Sequence, residues 1–287
     1  MIYVSSACLK KEKIDEVLKE YVDAGIINIE LSGGTTYYAN LIPDLIKFKQ
    51  EHKVEYACHA YFPPPERDFV VNLAACNDLI YEQSIEHYKK CIELLPQIGC
   101  NVLSVHAGFL TEISTNEIGK KLTYKIIYDR DEAIEKFCNA IIYLKKLCKE
   151  KGISLYVENN VLSEDNYCTS KGHNYLLMTD YASICEIRKK VEFDLLLDLG
   201  HLYVSANTLK LNFEEQVRQL GEVAKWIHVS ENNGIRDEHK PLVEGSNICK
   251  ELQQIDKKIN ITLETKGNIH QILNSVYLVE NIIKHER

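Results

Sequence analysis

Residues 131–160 read DEAIEKFCNAIIYLKKLCKEKGISLYVENN, and they contain one repeat of the pattern that decides the fold. The first part, residues 131–152, has apolar residues at three- and four-residue steps, which is typical of an amphipathic helix. The run SLYVENN that follows is short and contains the consecutive residues Leu155, Tyr156 and Val157, which is typical of a buried strand. Helices that alternate with strands in this way indicate βα units and a parallel sheet.

The same alternation extends over the whole chain, and we count eight strand-and-helix units. The predicted strands span residues 2–7, 27–32, 54–60, 101–107, 154–160, 194–200, 225–231 and 261–267. The predicted helices span residues 11–25, 41–52, 77–98, 131–152, 181–190 and 213–224, and one follows each of the last two strands. Eight units in 287 residues fit the usual size of a (β/α)₈ barrel. We therefore expect an α/β protein consisting of one TIM-barrel domain over residues 1–287.

Composition indicates an ordinary globular protein, and net charge favours a small substrate. The chain has 45% hydrophobic and 26% charged residues, enough to bury a sizeable core. No apolar stretch is long enough for a membrane span, and the first residues do not resemble a secretion signal. The ten cysteines form no Cys-x-x-Cys pair, so we expect reduced thiols and a cytoplasmic location. A net charge of −8 disfavours binding to nucleic acid.

Nine potential metal ligands occupy the ends of predicted strands or the turns after them. They are His59, His106, Glu158, Asp198, His201, His228, Asp237, His239 and Glu264. Catalytic residues of such barrels gather at the C-terminal ends of the strands, so we expect these side chains to converge on one face. The other histidines, His52, His87, His173, His270 and His285, lack this context, and we interpret them as surface or helix residues.

Each donor taken alone also has a purely structural interpretation. A single histidine at a strand end is more often hydrogen-bonded within the fold than bound to a metal. Carboxylates at the ends of buried strands, such as Glu158, Asp198 and Glu264, are harder to explain, because they would repel one another without a cation. A mixed set of imidazoles and carboxylates suits zinc, manganese, iron or cobalt. We therefore expect one to three divalent ions.

Local spacing favours a shared site. Between Asp198 and His201, Gly200 would permit a turn that brings the imidazole back over the strand end. Asp237 and His239 are two positions apart, so in an extended loop both side chains point the same way and can bind one ion.

Several short motifs carry a resemblance to a known family. The stretches AYFPPPERDFVVNLAACN, SVHAG, YVENN, LDLGH, IHVSENNGIRDEHKPLVEG and LETKG resemble the xylose isomerase-like barrel superfamily. This superfamily groups sugar and sugar-phosphate isomerases and epimerases with the endonuclease IV repair enzymes. The order and spacing of the motifs match along nearly the whole chain.

The resemblance implies two sets of ligands. Four residues match those that hold one divalent ion in the epimerases of the superfamily: Glu158, Asp198, His228 and Glu264. Five more match the additional ligands with which endonuclease IV holds three zincs: His59, His106, His201, Asp237 and His239. The DNA-penetrating loops of endonuclease IV are not evident in this sequence, which argues against DNA repair.

We therefore interpret the chain as a metal-dependent isomerase or epimerase of a sugar or sugar phosphate. The resemblance implies that Glu158 and Glu264 are the acid/base pair beside a metal-polarised carbonyl. We expect His201, Arg236 and Lys266 to bind substrate. A homo-oligomer is compatible with the resemblance, because relatives range from monomers to tetramers.

Two alternatives stay open. The first is a multi-zinc phosphodiesterase that resembles endonuclease IV and cleaves abasic DNA or a small phosphoester, favoured by the five additional donors. The second is a catalytically idle barrel used for binding, which would require the donors to be accidental.

Overall fold

Eight parallel strands pair in chain order, and the last pairs with the first, in the computed structural model of this protein, which describes residues 1–284. The strands are Ile2–Ser5 (β1), Asn28–Leu31 (β2), Glu55–His59 (β3), Val102–His106 (β4), Ser154–Glu158 (β5), Asp194–Asp198 (β6), Ala224–Val229 (β7) and Asn260–Leu263 (β8). The predicted single (β/α)₈ TIM barrel is confirmed.

Helices connect the strands and cover the outside of the barrel. They are Ile14–Asp23 (α1), Leu41–His52 (α2), Asp78–Leu94 (α3), Arg130–Glu150 (α4), Glu164–Thr169 (α5), Tyr181–Arg188 (α6), Leu199–Leu209 (α7), Phe213–Gly221 (α8), Asn247–Leu252 (α9) and Ile269–Lys284 (α10). Their apolar faces pack against the strands in one large core. Among residues 1–284, no helix is long and apolar enough to cross a membrane.

The barrel interior is filled below the strand ends by a separate layer of side chains. Trp226, Tyr3 and Tyr156 meet there, with the Trp226 ring centroid 5.1 Å from that of Tyr3 and 5.6 Å from that of Tyr156. Because side chains alternate between the two faces of a strand, residues two positions later point into the barrel one layer higher. That step leads from Tyr156 to Glu158 and from Trp226 to His228.

The largest difference from the sequence prediction follows β6. We expected a strand through residue 200 and a turn permitted by Gly200, but the strand ends at Asp198 and α7 begins at Leu199. The Asp198 side chain caps this helix by accepting from the backbone N–H of His201. Gly200 lies in the first helical turn, where an added Cβ would stand only 2.8 Å from Oγ of Ser230. Glycine is needed there for close packing, so that prediction was wrong.

The histidines outside the predicted site lie on helices or at the surface. His52 and His270 are exposed on α2 and α10, His173 is exposed in a loop, and His87 is buried in α3. These positions confirm the prediction for those four. His285 lies outside the described residues.

Candidate metal centre

All nine predicted ligands lie at the C-terminal end of the barrel. Four of them are the last residues of successive strands: His59, His106, Glu158 and Asp198. The other five are His228 near the end of β7, Asp237 and His239 in the loop after β7, Glu264 directly after β8, and His201 in the first turn of α7. His201 is therefore on a helix rather than on a loop, although its ring nitrogens still lie within 4 Å of carboxylate oxygens of Glu158, Asp198 and Asp237.

Glu158 lies at the centre of this cluster, fully buried. Its Oε2 atom is 2.8 Å from Nδ1 of His106 and 3.3 Å from Nε2 of His59. Its Oε1 atom is 3.2 Å from Nδ1 of His228. The two oxygens of one carboxylate thus face imidazoles on opposite sides, so Glu158 connects two halves of the cluster.

The donors divide into three groups, in each of which one atom from every residue lies within 4.8 Å of the others. The first group is His59, His106 and Glu158, and the second is Glu158, Asp198, His228 and Glu264. The third group is His201, Asp237 and His239. A further combination joins Glu30 to His59 and His228. Three adjacent ions, two of them sharing Glu158, would fit the first three groups.

Backbone groups set the orientation of His201. Its Nδ1 atom lies 2.9 Å from the backbone carbonyl oxygen of Asn159, which only accepts hydrogen bonds, so Nδ1 carries the proton. Nε2 then points toward Asp237, 3.4 Å from its Oδ2. The Asn159 side chain also bonds both backbone groups of Asp198, with distances of 2.7 and 3.1 Å. Asn159 therefore positions two ligands at once.

The loop after β7 carries the rest of the third group. Glu231 and Lys240 exchange two backbone hydrogen bonds of 2.9 and 2.7 Å, which close the loop at its base. Within it, Oδ2 of Asp237 lies 2.8 Å from Nε2 of His239. His239 has a φ of 49°, a left-handed conformation that costs a non-glycine residue energy. The fold thus maintains a strained backbone at a candidate ligand.

Buried charges shift the pKa values of these groups strongly. Burial opposes ionisation of Glu158, but the imidazoles of His59 and His106 outweigh it and hold its pKa well below the ordinary value. Burial likewise opposes ionisation of Glu264, and His228 outweighs it and lowers the pKa of that carboxyl. Burial raises the pKa of Asp198. The centre therefore contains ionised carboxylates that need positive charge nearby.

Two histidines of the centre, His201 and His228, shift in the opposite direction, whereas burial lowers the pKa of His59. Burial disfavours the charged form of His201, but Asp198 and Asp237 outweigh it and raise its pKa well above the usual value. Glu30 and Glu264 overcome the burial of His228 in the same way, and its pKa is also raised. Protons thus supply the positive charge that a bound cation would supply instead.

The cluster passes a test for divalent metal binding. Several of its buried atoms make no hydrogen bond: Oδ2 of Asp198, Oδ1 of Asp237 and Nδ1 of His239. Buried polar atoms without hydrogen bonds are costly unless a ligand satisfies them. The donors are imidazole nitrogens and carboxylate oxygens, a set that suits zinc, manganese, iron or cobalt. These residues therefore fit divalent ions.

The two predicted cationic substrate ligands lie at the rim. Arg236 is 67% exposed in its side chain, and its guanidinium lies 2.6 Å from Oδ2 of Asp165, on α5. Lys266 is exposed, and its backbone N–H donates to the carbonyl of His239. Their positions allow contact with a substrate above the centre, and this role remains a prediction.

Sequence reasoning missed Glu30, a buried carboxylate on β2. Its oxygens lie 2.9 and 3.2 Å from Nε2 of His228, across the barrel interior. It also missed Ser104, whose Oγ lies 2.7 Å from Nδ1 of His59. The available signal was a glutamate inside the apolar run INIEL, where a charge has no place without a partner.

The sequence and fold of this chain are similar to those of known proteins. A family model described as a xylose isomerase-like TIM barrel matches residues 18–280. An uncharacterized protein of Methanocaldococcus jannaschii is 21% identical over 98% of this chain and 88% of its own length. The crystal structure of a D-tagatose 3-epimerase-like protein superposes with a TM-score of 0.73 at 20% identity, covering 99% of this chain and 97% of that one. Endonuclease IV from Thermus thermophilus gives a TM-score of 0.59 at 15% identity, covering 99% and 98%. At these identities the structural likeness concerns the fold.

Proposed function

Because this chain belongs to the xylose isomerase-like TIM barrel family, we propose that it is a divalent-metal-dependent enzyme that hydrolyses a small phosphoester. One observation carries this choice over the epimerase that the sequence favoured. Both oxygens of Glu158 face ligand imidazoles, on opposite sides. A carboxylate engaged in this way suits a bridge between two ions better than a general base, which needs one free oxygen.

The three donor groups would hold up to three ions. Bound there, the ions would lower the pKa of a coordinated water and stabilise both the attacking and the leaving oxygen of the phosphoester. Zinc suits such a role, although the donor set also accepts manganese, cobalt or iron. Glu158 would hold the first and second ions together, while Asp237 and His239 would hold the third from their loop.

The residues around the donors preorganise the site. Asn159 fixes Asp198 and His201, as its hydrogen bonds of 2.7, 2.9 and 3.1 Å indicate. The packed layer of Trp226, Tyr3 and Tyr156 fills the barrel beneath the donors. Rigid support of this kind reduces the reorganisation needed during reaction.

The substrate we propose is small rather than a polynucleotide. The chain has a net charge of −8, which repels polyanions at long range. A sugar phosphate combines a phosphoester with hydroxyl groups, and the rim cations of Lys266 and Arg236 could bind its charged group. The free state of all ten cysteines fits our further proposal of a cytoplasmic location.

An isomerase or epimerase of a sugar or sugar phosphate is the second candidate, and a specific observation favours it. The carboxylates of Glu158 and Glu264 both approach Nδ1 of His228, at distances of 3.2 and 3.6 Å. Two carboxylates from β5 and from the end of β8 would flank one ion and could act as an acid/base pair on a bound sugar. In this role His201 would bind a substrate hydroxyl group.

One pair of variants separates the two candidates. His239 belongs to the third donor group, which a one-metal epimerase does not require. We expect His239→Asn to reduce cleavage of a small phosphodiester such as bis-p-nitrophenyl phosphate by more than about 100-fold. The second variant tests the epimerase: if that function is correct, Glu264→Gln should abolish deuterium exchange between a ketose and solvent. Wild-type exchange without phosphodiester cleavage would reject the hydrolase and support the epimerase.

A further inference from the structure

Glu30 is a buried acidic residue outside the nine predicted ligands. It is 1% exposed at the third position of β2, and His228 on the far side of the barrel is 0% exposed. Oε2 of Glu30 also lies 3.0 Å from Oγ1 of Thr262 on β8. The same hydroxyl lies 2.8 Å from Nε1 of Trp226 on β7. Four buried side chains therefore form one hydrogen-bonded chain.

The indole of Trp226 determines which atom donates in each of these hydrogen bonds. The indole N–H only donates, so Thr262 Oγ1 must accept from Trp226. The Thr262 hydroxyl proton is then free to point at the Glu30 carboxylate, which only accepts. The carboxylate has lone pairs left for the Nε2–H of His228, which lies 2.9 and 3.2 Å from its two oxygens. Each donor along the chain thus faces an acceptor.

We propose that Glu30 is a positioning residue that, with Thr262 and Trp226, holds His228 so that Nδ1 faces the second donor group. With the proton on Nε2 directed at Glu30, Nδ1 faces Glu158 and Glu264, at 3.2 and 3.6 Å, and is the nitrogen that would bind an ion of that group. Carboxylates that accept from the outer nitrogen of a ligating histidine fix its orientation and increase its basicity. The inference rests on the metal binding of the proposed function and on neither reaction.

Glu30 does not serve as a ligand itself, although it combines geometrically with His59 and His228. An ion between Glu30 and His228 would have to take Nε2, the atom that donates to the carboxylate. His228 would then bind ions through both nitrogens, because Nδ1 already belongs to the second group.

The test uses the fact that the chain has one tryptophan. Its indole N–H gives a single signal in a ¹⁵N-labelled protein, and this signal reports directly on the bond to Thr262. The variants are Glu30→Gln, Thr262→Val and Thr262→Ser, with Thr208→Val as the matched control. Thr208 is also buried, and its hydroxyl makes no hydrogen bond. Zinc binding to each full-length protein is measured by equilibrium dialysis.

We expect Glu30→Gln and Thr262→Val to weaken the binding of one zinc by about 10- to 100-fold. Glutamine must turn its NH₂ group toward either His228 or Thr262. Both of these donate, so one of the two hydrogen bonds is lost. The indole signal should shift in Thr262→Val, while Thr262→Ser and Thr208→Val should keep wild-type zinc affinity. If Glu30→Gln does not fold, Thr262→Val decides the result.

Unchanged zinc affinity in Glu30→Gln and Thr262→Val would overturn the positioning role while leaving the proposed function intact. A wild-type protein that binds no zinc, manganese, cobalt or iron would overturn both. Equal weakening in Thr208→Val would show a general loss of stability and would also overturn the role of Glu30.

Discussion

His106 and Glu158 are paired in register at the ends of neighbouring strands, and their side chains meet 2.8 Å apart above the barrel. The pairing of β4 with β5 therefore brings together two of the three members of the first donor group. Glu158 extends from this pair to His228 on β7, so it also belongs to the second group. Because Glu158 belongs to two donor groups and His106 to one, removing Glu158 should reduce metal binding more than removing His106.

We expect His106→Asn to lower the bound metal by about one ion per chain, and Glu158→Gln to lower it by about two. The first change removes one ligand of one group, whereas the second removes the bridge between two groups. Metal content after dialysis, measured by elemental analysis, checks both. Glu55→Gln at the exposed start of β3 is the control, and it should retain wild-type content. Equal metal loss in the two site variants would contradict a bridging Glu158.

Metal affinity should depend steeply on pH. Burial opposes protonation of His201, His228 and His239, but carboxylates outweigh it and raise their pKa values, so the metal-free protein holds these protons to higher pH than a free imidazole would. Binding must displace those protons, which makes affinity fall as pH decreases. Each proton released corresponds to about a tenfold loss of affinity per pH unit below the raised pKa.

Titration calorimetry with zinc in two buffers of different ionisation enthalpy measures the protons released. We expect release at pH 7 and weaker binding at pH 6 than at pH 8. Affinity that is constant over this range would show that the imidazoles are already neutral before the metal binds.

The sequence predicted the barrel and the gathering of nine candidate ligands at one end of it because both depend on local patterns. A strand of a βα barrel ends at a known face, so a polar residue such as His59 or Glu158 at its end has a predictable position. No knowledge of helix packing or loop shape was required. The same reasoning placed Asp237 and His239 together because their separation in the chain is only two residues.

The parts that sequence reasoning missed depend on distances across the fold. Glu30 and His228 are 198 positions apart, on strands that are not neighbours, so only the closed barrel brings them into contact. The ion pair of Arg236 with Asp165 joins the loop after β7 to the short helix α5, and no local pattern determines how the two are placed. Helix α7 was missed because its apolar residues, buried on most sides, lack a polar face.

Gly108 allows two loops above β3 and β4 to pack closely. An added Cβ would lie 2.3 Å from Cβ of Ala74 and 3.0 Å from its backbone nitrogen. Nearby, Asn72 accepts from the backbone nitrogens of Ala74 and Phe109 at 3.0 and 2.9 Å, which ties the loops together. We therefore expect Gly108→Ala to lower the free energy of unfolding by about 1–3 kcal/mol.

Urea denaturation of metal-free protein measures this effect. The control is Gly221→Ala at the end of α8, where the nearest atom to an added Cβ is 3.4 Å away. The same chemical change should be neutral or slightly stabilising there, because alanine favours a helix more than glycine does. If both variants have the same free energy of unfolding, the two loops must be able to move apart without loss of stability.

His87 makes the stability of the fold sensitive to acid independently of the metal centre. It is 7% exposed on α3, packed against Phe69 and Tyr88, and its Nε2 makes no hydrogen bond. Burial lowers its pKa to about 4, whereas a histidine in the unfolded chain has a pKa of about 6.5. Between these values the unfolded chain binds a proton that the folded protein does not bind. The free energy of unfolding therefore falls as pH decreases through this window.

We expect His87→Leu to remove this dependence. As pH falls from 7.5 to 5, the free energy of unfolding of the variant should rise by about 2 kcal/mol relative to that of the wild type. The reason is that leucine cannot take up a proton on unfolding. The difference between variant and wild type at each pH cancels contributions from the metal centre, which is common to both. His270→Leu, at an exposed position of α10, provides the control. A His87→Leu difference that is the same at both pH values would show that the His87 imidazole remains accessible to protons in the folded protein.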